Sequence, residues 1–401
     1  MDEARPGAAR AELNTQRGRG AGAEQLRRYN LSTILTLLHN DGSQPRSALT
    51  ARTGLNRSTV AALVTELGDR GLVFESDPDP TNQVGRPSPT VNIDPGIVGV
   101  AVNPEVDAVT VGIVSLGGDV LHRARQDTAH PPTAEDATEI TARLLRELTA
   151  RLDPGVRIVG IGVAVPGLVR AEDGLVRLAP HLMWRDVPFA TMVTEATGYP
   201  ARVGNDANLG AIAEHIHGAG RGIAEMIYLN GGPSGIGGGI IANGALVGGA
   251  GGYAGEFGHT AAAPGEAPRD LEDTVSRVSL LAALGRQAAT PDELEQALLA
   301  STDPAVDTLV RAQLDRLGEA LSASINTLNP QRIVLGGFLA SLLLKAPDHL
   351  RARVQEHSLS APYEGVEILR ASLGSDLLMI GAAELAFADV LRDPGALATA
   401  R

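Results

Sequence analysis

Residues 231–259 read GGPSGIGGGIIANGALVGGAGGYAGEFGH, with glycine at nearly every other position. A backbone this poor in side chains can turn with φ > 0 and lets a ligand approach its amides closely, as loops for phosphate or sugar require. Asn243-Gly244, set between two apolar runs, is a hairpin-turn signal. The stretch ends on Glu256 and His259, a carboxylate and an imidazole three residues apart that can hydrogen-bond the hydroxyls of a polar ligand. Two readings of it are open: glycines that punctuate strand turns, or the wall of a ligand site.

At 401 residues the chain is long enough for two or three domains. Aromatic residues make up only 3% of it, so its core has to be built from Ala, Val, Leu and Ile. The absence of cysteine removes disulfides, thiolate metal sites and cysteine nucleophiles together. The first residues carry no apolar leader segment and no run of 18 apolar residues occurs, so a cytoplasmic protein without a membrane partner is expected. Net charge is −13, but it is unevenly placed: residues 1–92 hold 11 arginines against 10 carboxylates, and the remainder 23 basic against 37 acidic residues. A first segment that escapes the acidity of the rest is what a DNA-binding attachment needs.

Residues 1–22 are rich in Ala, Gly and Arg and poor in apolar side chains, which reads as a disordered tail. From there to residue 92 the pattern is that of a winged helix-turn-helix. Leu26, Tyr29, Ile34, Leu37 and Leu38 form an apolar helical stripe that stops near Asn40-Asp41-Gly42. A short helix over 46–53 and a turn at Gly54-Leu55 follow, and Asn56 is a natural cap for a third helix over 57–70 with Val60, Leu63, Val64 and Leu67 inside. That arrangement leaves Arg57, Ser58, Ala61, Ala62 and Thr65 outward on a helix suited to a major groove. Arg46, Asn56 and Thr59 flank them as further DNA contacts, and the alanines can approach thymine methyls. The stretch 72–92 reads as a β-ribbon with a long tip, where Arg86 can reach a phosphate or a minor groove. Asp77 and Asp79 weaken the wing's attraction to phosphates.

Residues 93–401 alternate short β-branched runs with longer helical patterns. Strands are expected at 97–102, 109–115 and 120–125, a helix at 134–152, a strand at 158–165, a helix at 189–197 and a short strand at 201–204 leading into Asn205-Asp206-Ala207-Asn208. This order gives an α/β lobe with a mixed sheet. A second set opens with strands at 226–230 and 236–242. Helices near 270–283, 291–299 and 303–328, strands at 332–335 and 366–369, and a helix at 377–391 complete it. Two α/β lobes leave a cleft between them where polar residues at strand ends converge, near 205–208 and 256–272. His181 reads as a loop histidine close to that cleft, and Trp184, the single tryptophan, as a core residue rather than a sugar-stacking platform.

The motifs GVAVPGLV from Gly162, NDAN from Asn205, GIGGGIIANG from Gly235, GEFGH from Gly255 and IVLGG from Ile333 together resemble the ROK family of sugar-responsive repressors and sugar kinases. The resemblance runs from about Leu26 to the end of the chain, and GRPS after the wing resembles the repressor branch. It implies a two-lobed, actin-like (ribonuclease H-like) fold behind the winged helix-turn-helix. It also implies a sugar site in which Asn205 and Asp206 bind hydroxyls, Glu256 and His259 hold the anomeric end, and Glu272 adds a contact. Asp206 matches the catalytic base of the kinase members and is at the same time a helix cap.

Two departures from the family pattern bear on function. Kinase members open the first lobe with an Asp-Gly-Gly-Thr turn whose amides cradle phosphates, whereas this chain has Asn103-Pro104-Glu105 there, and proline lacks the N–H while glutamate repels phosphate. Many members also place cysteines after the equivalent of His259 and bind zinc with them. Here the only donors nearby are oxygens, from Glu266, Asp270 or Asp273, so no zinc and no other cofactor is expected. The leading expectation is a sugar-responsive regulator that binds operator DNA as a homodimer or tetramer and has no enzymatic activity. The alternative is an ATP-dependent sugar kinase with Asp206 as base.

Overall fold

The computed structural model describes residues 7–77, 88–263 and 269–397. The first unit comprises α1 (Gly7–Asp41), β1 (Gln44–Pro45), α2 (Arg46–Thr53), α3 (Arg57–Asp69), β2 (Val73–Ser76) and β3 (Thr90–Ile93). Helix α1 begins at Gly7, where composition reads a disordered tail. Ala, Arg, Glu and Gln are strong helix formers, and the backbone of residues 7–22 simply continues the packed helix behind it. The buried stripe of α1 is Leu31, Ile34, Leu35 and Leu38. Leu26 and Tyr29, expected inside, are 61% and 68% exposed; this part of α1 meets its neighbours through Arg27, ion-paired with Glu66, and Arg28, ion-paired with Asp393. Helix α3 buries Val60, Leu63, Val64 and Leu67, as its spacing predicts. Asn56 caps it, accepting from the Thr59 amide at 2.8 Å, a contact that contributes about 1 kcal/mol. Strands β2 and β3 pair antiparallel from Val73↔Ile93 to Ser76↔Thr90, and β1 joins β3 as a third strand. The wing is therefore present at its base, and its tip with Arg86 and Asp79 lies outside the described residues.

The first lobe is built on β4 (Ile97–Pro104), β5 (Ala108–Ser115), β6 (Val120–Asp127), α4 (Ala134–Thr149) and β7 (Arg157–Val165). A side ribbon of β8 (Leu168–Val169), β9 (Val176–Ala179) and β10 (Trp184–Val187) follows, then α5 (Phe189–Thr197), β11 (Ala201–Asn205) and α6 (Asp206–His217). The second lobe starts with β12 (Met226–Gly232), β13 (Gly235–Ala242) and β14 (Ala245–Leu246), joined by Asn243 and Gly244 with φ of 52° and 73°. These are the two left-handed residues a tight hairpin requires. Next come β15 (Ala261–Ala263), β16 (Arg269–Asp270), α7 (Leu271–Thr274), α8 (Arg277–Ala283), α9 (Pro291–Ala300) and α10 (Pro304–Leu328). Strand β17 (Arg332–Gly336), α11 (Gly337–Lys345), α12 (Pro347–His357), α13 (Ser360–Tyr363), β18 (Glu367–Arg370) and α14 (Leu377–Arg392) complete the chain.

The two lobes repeat one topology. The first sheet has the order β11-β7-β4-β5-β6 and the second β14-β13-β12-β17-β18. In each, the first strand pairs antiparallel with the second and parallel with the fourth. The chain reverses its winding between the first and fourth strands, and in open α/β sheets ligands settle outside the carboxyl ends of strands at that point. Here both such points, at the ends of β4 and β7 and of β12 and β17, open onto the same cleft.

Helix α14 does not stay with the second lobe. It returns beneath the first sheet, where Phe387, Met379 and Ala382 share one apolar core with Leu31, Ile34 and Leu35 of α1. The winged unit is thus seated on the first lobe. Ser32 donates to the Leu391 carbonyl at 2.6 Å, and Arg157 of β7 donates to the carbonyls of Arg70 and Gly71 at 2.6 and 3.0 Å. Helix α6 lies between the lobes, flat on β13: a Cβ at Gly237 or Gly239 would stand 2.7 and 2.5 Å from the Cβ atoms of Ala207 and Ala211. Gly237 and Gly239 thus let this helix approach the sheet.

Candidate functional site

The cleft encloses about 760 Å³ and is walled by the ends of β4, β7, β11, β12 and β17 together with loops of the second lobe. All five residues expected to hold a sugar line it: Asn205, Asp206, Glu256, His259 and Glu272. Asn205 ends β11 and caps α6, accepting from the Asn208 amide at 2.9 Å, while its own amide group donates to the Gly167 carbonyl at 3.0 Å. That pair of bonds fixes the side chain at the mouth of the helix.

Asp206 follows as the first residue of α6. One carboxylate oxygen accepts from the Ala207 amide at 2.8 Å, which leaves the other for a ligand hydroxyl. Burial, opposed by that amide and reinforced by the nearby Glu256 charge, pushes its pKa up to about 6. Glu256 is raised as well, first by burial and then by Glu272, with His259 acting against both. Several carboxylates facing one space accept hydrogen bonds well and repel an anion.

His259 is the most exposed member. Its Nδ1 lies 3.2 Å from Asp270 and 3.8 Å from Glu272, and the hydrogen bond to Asp270 is the main reason its pKa is raised. Asp270 begins α7 in a reciprocal capping box with Asp273, so a helix end holds the residue that orients the imidazole. Glu272 is held by the Ile236 amide at 3.2 Å, and a Cβ on Gly235 would come within 2.2 Å of it. His259 is more than half exposed, its neighbours are oxygens, and the described residues bring no set of three ligating atoms together around it. Glu266 lies outside the described residues.

The opposite wall carries different chemistry. Strand β4 runs on through Pro104, which pairs with Val109, and the Glu105 amide is spent on the Ala108 carbonyl at 2.7 Å. Burial raises the pKa of Glu105, while Arg125, to which it is ion-paired, opposes the rise. Asp107 sits beside it on the same arginine at 3.1 Å. A proline, a committed amide and two carboxylates leave no cradle for a phosphate at this turn. His181 is exposed and faces the cleft, whereas Trp184 is core, its Nε1 donating to the Pro132 carbonyl at 3.0 Å. Arg277, at the start of α8, lines the far end of the cleft, a placement that no motif in the sequence marks.

On the winged unit, Arg57, Ser58, Ala62 and Thr65 are exposed along α3 and Thr59 is half-buried. Ser58 donates to the Asn56 side chain at 2.7 Å, so Asn56 acts first as a cap. Arg46 is ion-paired with Glu75 at the base of the wing. The arginine expected to reach DNA is thereby partly engaged within the protein.

Comparison with known proteins places this geometry. A family model described as ROK family matches residues 100–389. The xylose repressor of Caldicellulosiruptor bescii is 26% identical over 92% of this chain and 98% of its own length, and that of Bacillus subtilis 26% identical over 89% and 94%. A glucokinase of Halalkalibacterium halodurans is 31% identical over 67% of this chain and 92% of its own. Among solved structures, a ROK family transcriptional regulator described as a homolog of the E. coli MLC protein superposes with a TM-score of 0.75, 22% identity and coverage of 92% and 98%, which shows the shared fold. A ROK family glucokinase from Streptomyces griseus, solved with glucose and AMPPNP, gives 0.58 at 25% identity over 72% of this chain and 98% of its own.

Proposed function

Because the chain belongs to the ROK family, we propose that it is a sugar-responsive transcriptional regulator, a repressor that binds operator DNA through α3 and its wing and takes a sugar in the interlobe cleft. One observation carries this reading. A cleft lined by Asn205, Asp206, Glu256, His259 and Glu272 is joined, through a continuous apolar core, to a winged helix-turn-helix whose third helix is free along one face. The repressor relatives span nearly the whole chain, winged unit included. The regulator acts in the cytoplasm as a homodimer, so that two α3 helices meet two half-sites of a palindrome. No zinc is expected at His259, whose described neighbours offer only oxygen donors.

A gel-shift of the DNA upstream of the gene, titrated with D-xylose and D-glucose, tests the proposal. A specific shift that either sugar alters is the expected result; no specific shift at any salt concentration overturns the DNA-binding half. Arg57→Ala weakens operator binding about tenfold or more, and Arg46→Ala less, because Glu75 already holds Arg46. A second reading, an ATP-dependent sugar kinase with Asp206 as base, draws on the glucokinase relatives and on the raised Asp206 pKa. Against it stands the turn at Asn103-Pro104-Glu105. ADP release on hexoses that Asp206→Asn abolishes would establish it.

A further inference from the structure

A buried polar cluster lies away from the cleft, where three elements meet. His39 of α1, Glu384 of α14 and His217 of α6 bring their ligating atoms within 4.8 Å of one another. His39 Nε2 stands 2.9 Å from one Glu384 oxygen and His217 Nε2 3.1 Å from the other. His39 Nδ1 faces the Leu116 carbonyl at 2.5 Å. A carbonyl only accepts, so Nδ1 carries a hydrogen; Nε2 faces a carboxylate and carries one too. His39 is therefore an imidazolium, 3% exposed, against a carboxylate 8% exposed. Every contact closes at hydrogen-bond distance without a metal.

Two of the three helices that hold this cluster start in the cleft. Helix α6 opens with Asn205 and Asp206 among the sugar-site residues and ends, 12 residues long, on His217. At 1.5 Å per residue it is a rod of about 18 Å. Helix α14 opens with Leu378 in the cleft wall and reaches Glu384 within two turns. The third partner, His39, belongs to the winged unit. We propose that His39, Glu384 and His217 form the joint through which occupancy of the cleft is passed to the DNA-reading unit, with α6 as the rod between them. The proposal rests on the regulator reading above.

The physics favours two discrete states over a gradual response. A hydrogen bond loses most of its strength within a displacement of about 1 Å, and a buried ion pair that loses a partner is strongly destabilised. The ring of His217 lies against Gly118, where any side chain would collide with it: a Cβ there would stand 2.6 Å from the ring. A small shift of α6, which lies between the lobes, thus breaks the joint or re-forms it and changes how α1 is held.

The test uses the full chain, an operator duplex selected with it in vitro, and whichever of D-xylose and D-glucose alters that binding. His217→Phe leaves the cleft and α3 untouched. Expected are sugar binding in the absence of DNA within about threefold of wild type and retained specific operator binding, with the sugar-induced change in operator Kd falling from about tenfold or more to under threefold. His217→Gln, whose amide can still donate to Glu384, retains the coupling. Full coupling in His217→Phe, with wild-type melting behaviour, overturns the joint. Stoichiometric divalent metal on the wild-type chain, lost in His217→Phe, overturns it too, since the cluster would then be a metal site. A wild-type chain that binds no specific DNA or answers no sugar overturns the regulator reading instead, and the joint falls with it.

Discussion

The two walls of the cleft come from sheets of identical strand order, yet they have opposite chemistry. At the end of β12 and the start of β13 the second lobe offers a turn of glycine, proline and serine, with backbone the main thing it can present. At the end of β4 the first lobe offers Pro104, Glu105 and Asp107, with Arg125 drawn in to offset the carboxylates. Topology brings both turns to one place. Side chains then decide what each can hold: between two such turns a transferable phosphate would find amides on one side and negative charge on the other. The candidate sugar-binding side chains at the start of α6 and between Glu256 and Glu272 meet no such conflict.

The largest expected effect tests that contrast directly. Asp206→Asn removes a charged acceptor and lowers sugar affinity about 10- to 100-fold by calorimetry, the scale of a hydrogen bond to a charged group. Glu105→Gln leaves it within about twofold. An equal loss from both substitutions would mean that the first-lobe turn also touches the sugar, and the contrast would fail.

Acidity sharpens the same comparison with a smaller effect. With a pKa near 6, Asp206 is mostly ionised at pH 7.5 and mostly protonated at pH 5.5, so sugar affinity drops about fourfold between them. The stability of the sugar-free protein moves the other way. Its folded pKa lies above the ordinary 3.8, so the folded state takes up a proton more readily, and this group's contribution to stability rises as pH falls through 6. Melting temperatures across pH 5 to 7.5, compared between wild type and Asp206→Asn, isolate that contribution. The smallest effect belongs to Asp270→Asn, which loosens the orientation of His259 and weakens sugar binding about twofold.

Local pattern made much of this legible. The bounds of α2, the Asn56 cap, the buried face of α3 and most strands of the two main sheets follow from periodicity and caps, and the family motifs pick out Asn205, Asp206, Glu256, His259 and Glu272, which line one cleft. What local pattern could not supply was anything set by distant partners. The apolar stripe of α1 extends in sequence to Leu26 and Tyr29, but there the helix turns Arg27 and Arg28 to its neighbours Glu66 and Asp393, and both apolar residues are exposed. Helix α14 reads as the end of the second lobe and returns instead to the first, where Gly162 lets Ala382 lie against β7. In sequence Asp270 is only one of three oxygen donors near His259; that it is the one meeting the ring depends on the pairing of β15 with β16, which local pattern does not give. His39, His217 and Glu384 are scattered along the whole chain, and each alone looks like an ordinary helix residue.

Helix α6 also has an angular property that its length alone does not convey. Successive residues turn by about 100°, so the eleven steps from Asp206 to His217 make three full revolutions with only about 20° left over. The ligand-facing carboxylate and the joint histidine are thus in phase on one stripe of the cylinder. Inserting or deleting a single residue midway would swing His217 by about 100° away from Glu384, and with it the buried Glu214 away from the Ser372 and Leu373 amides it accepts from.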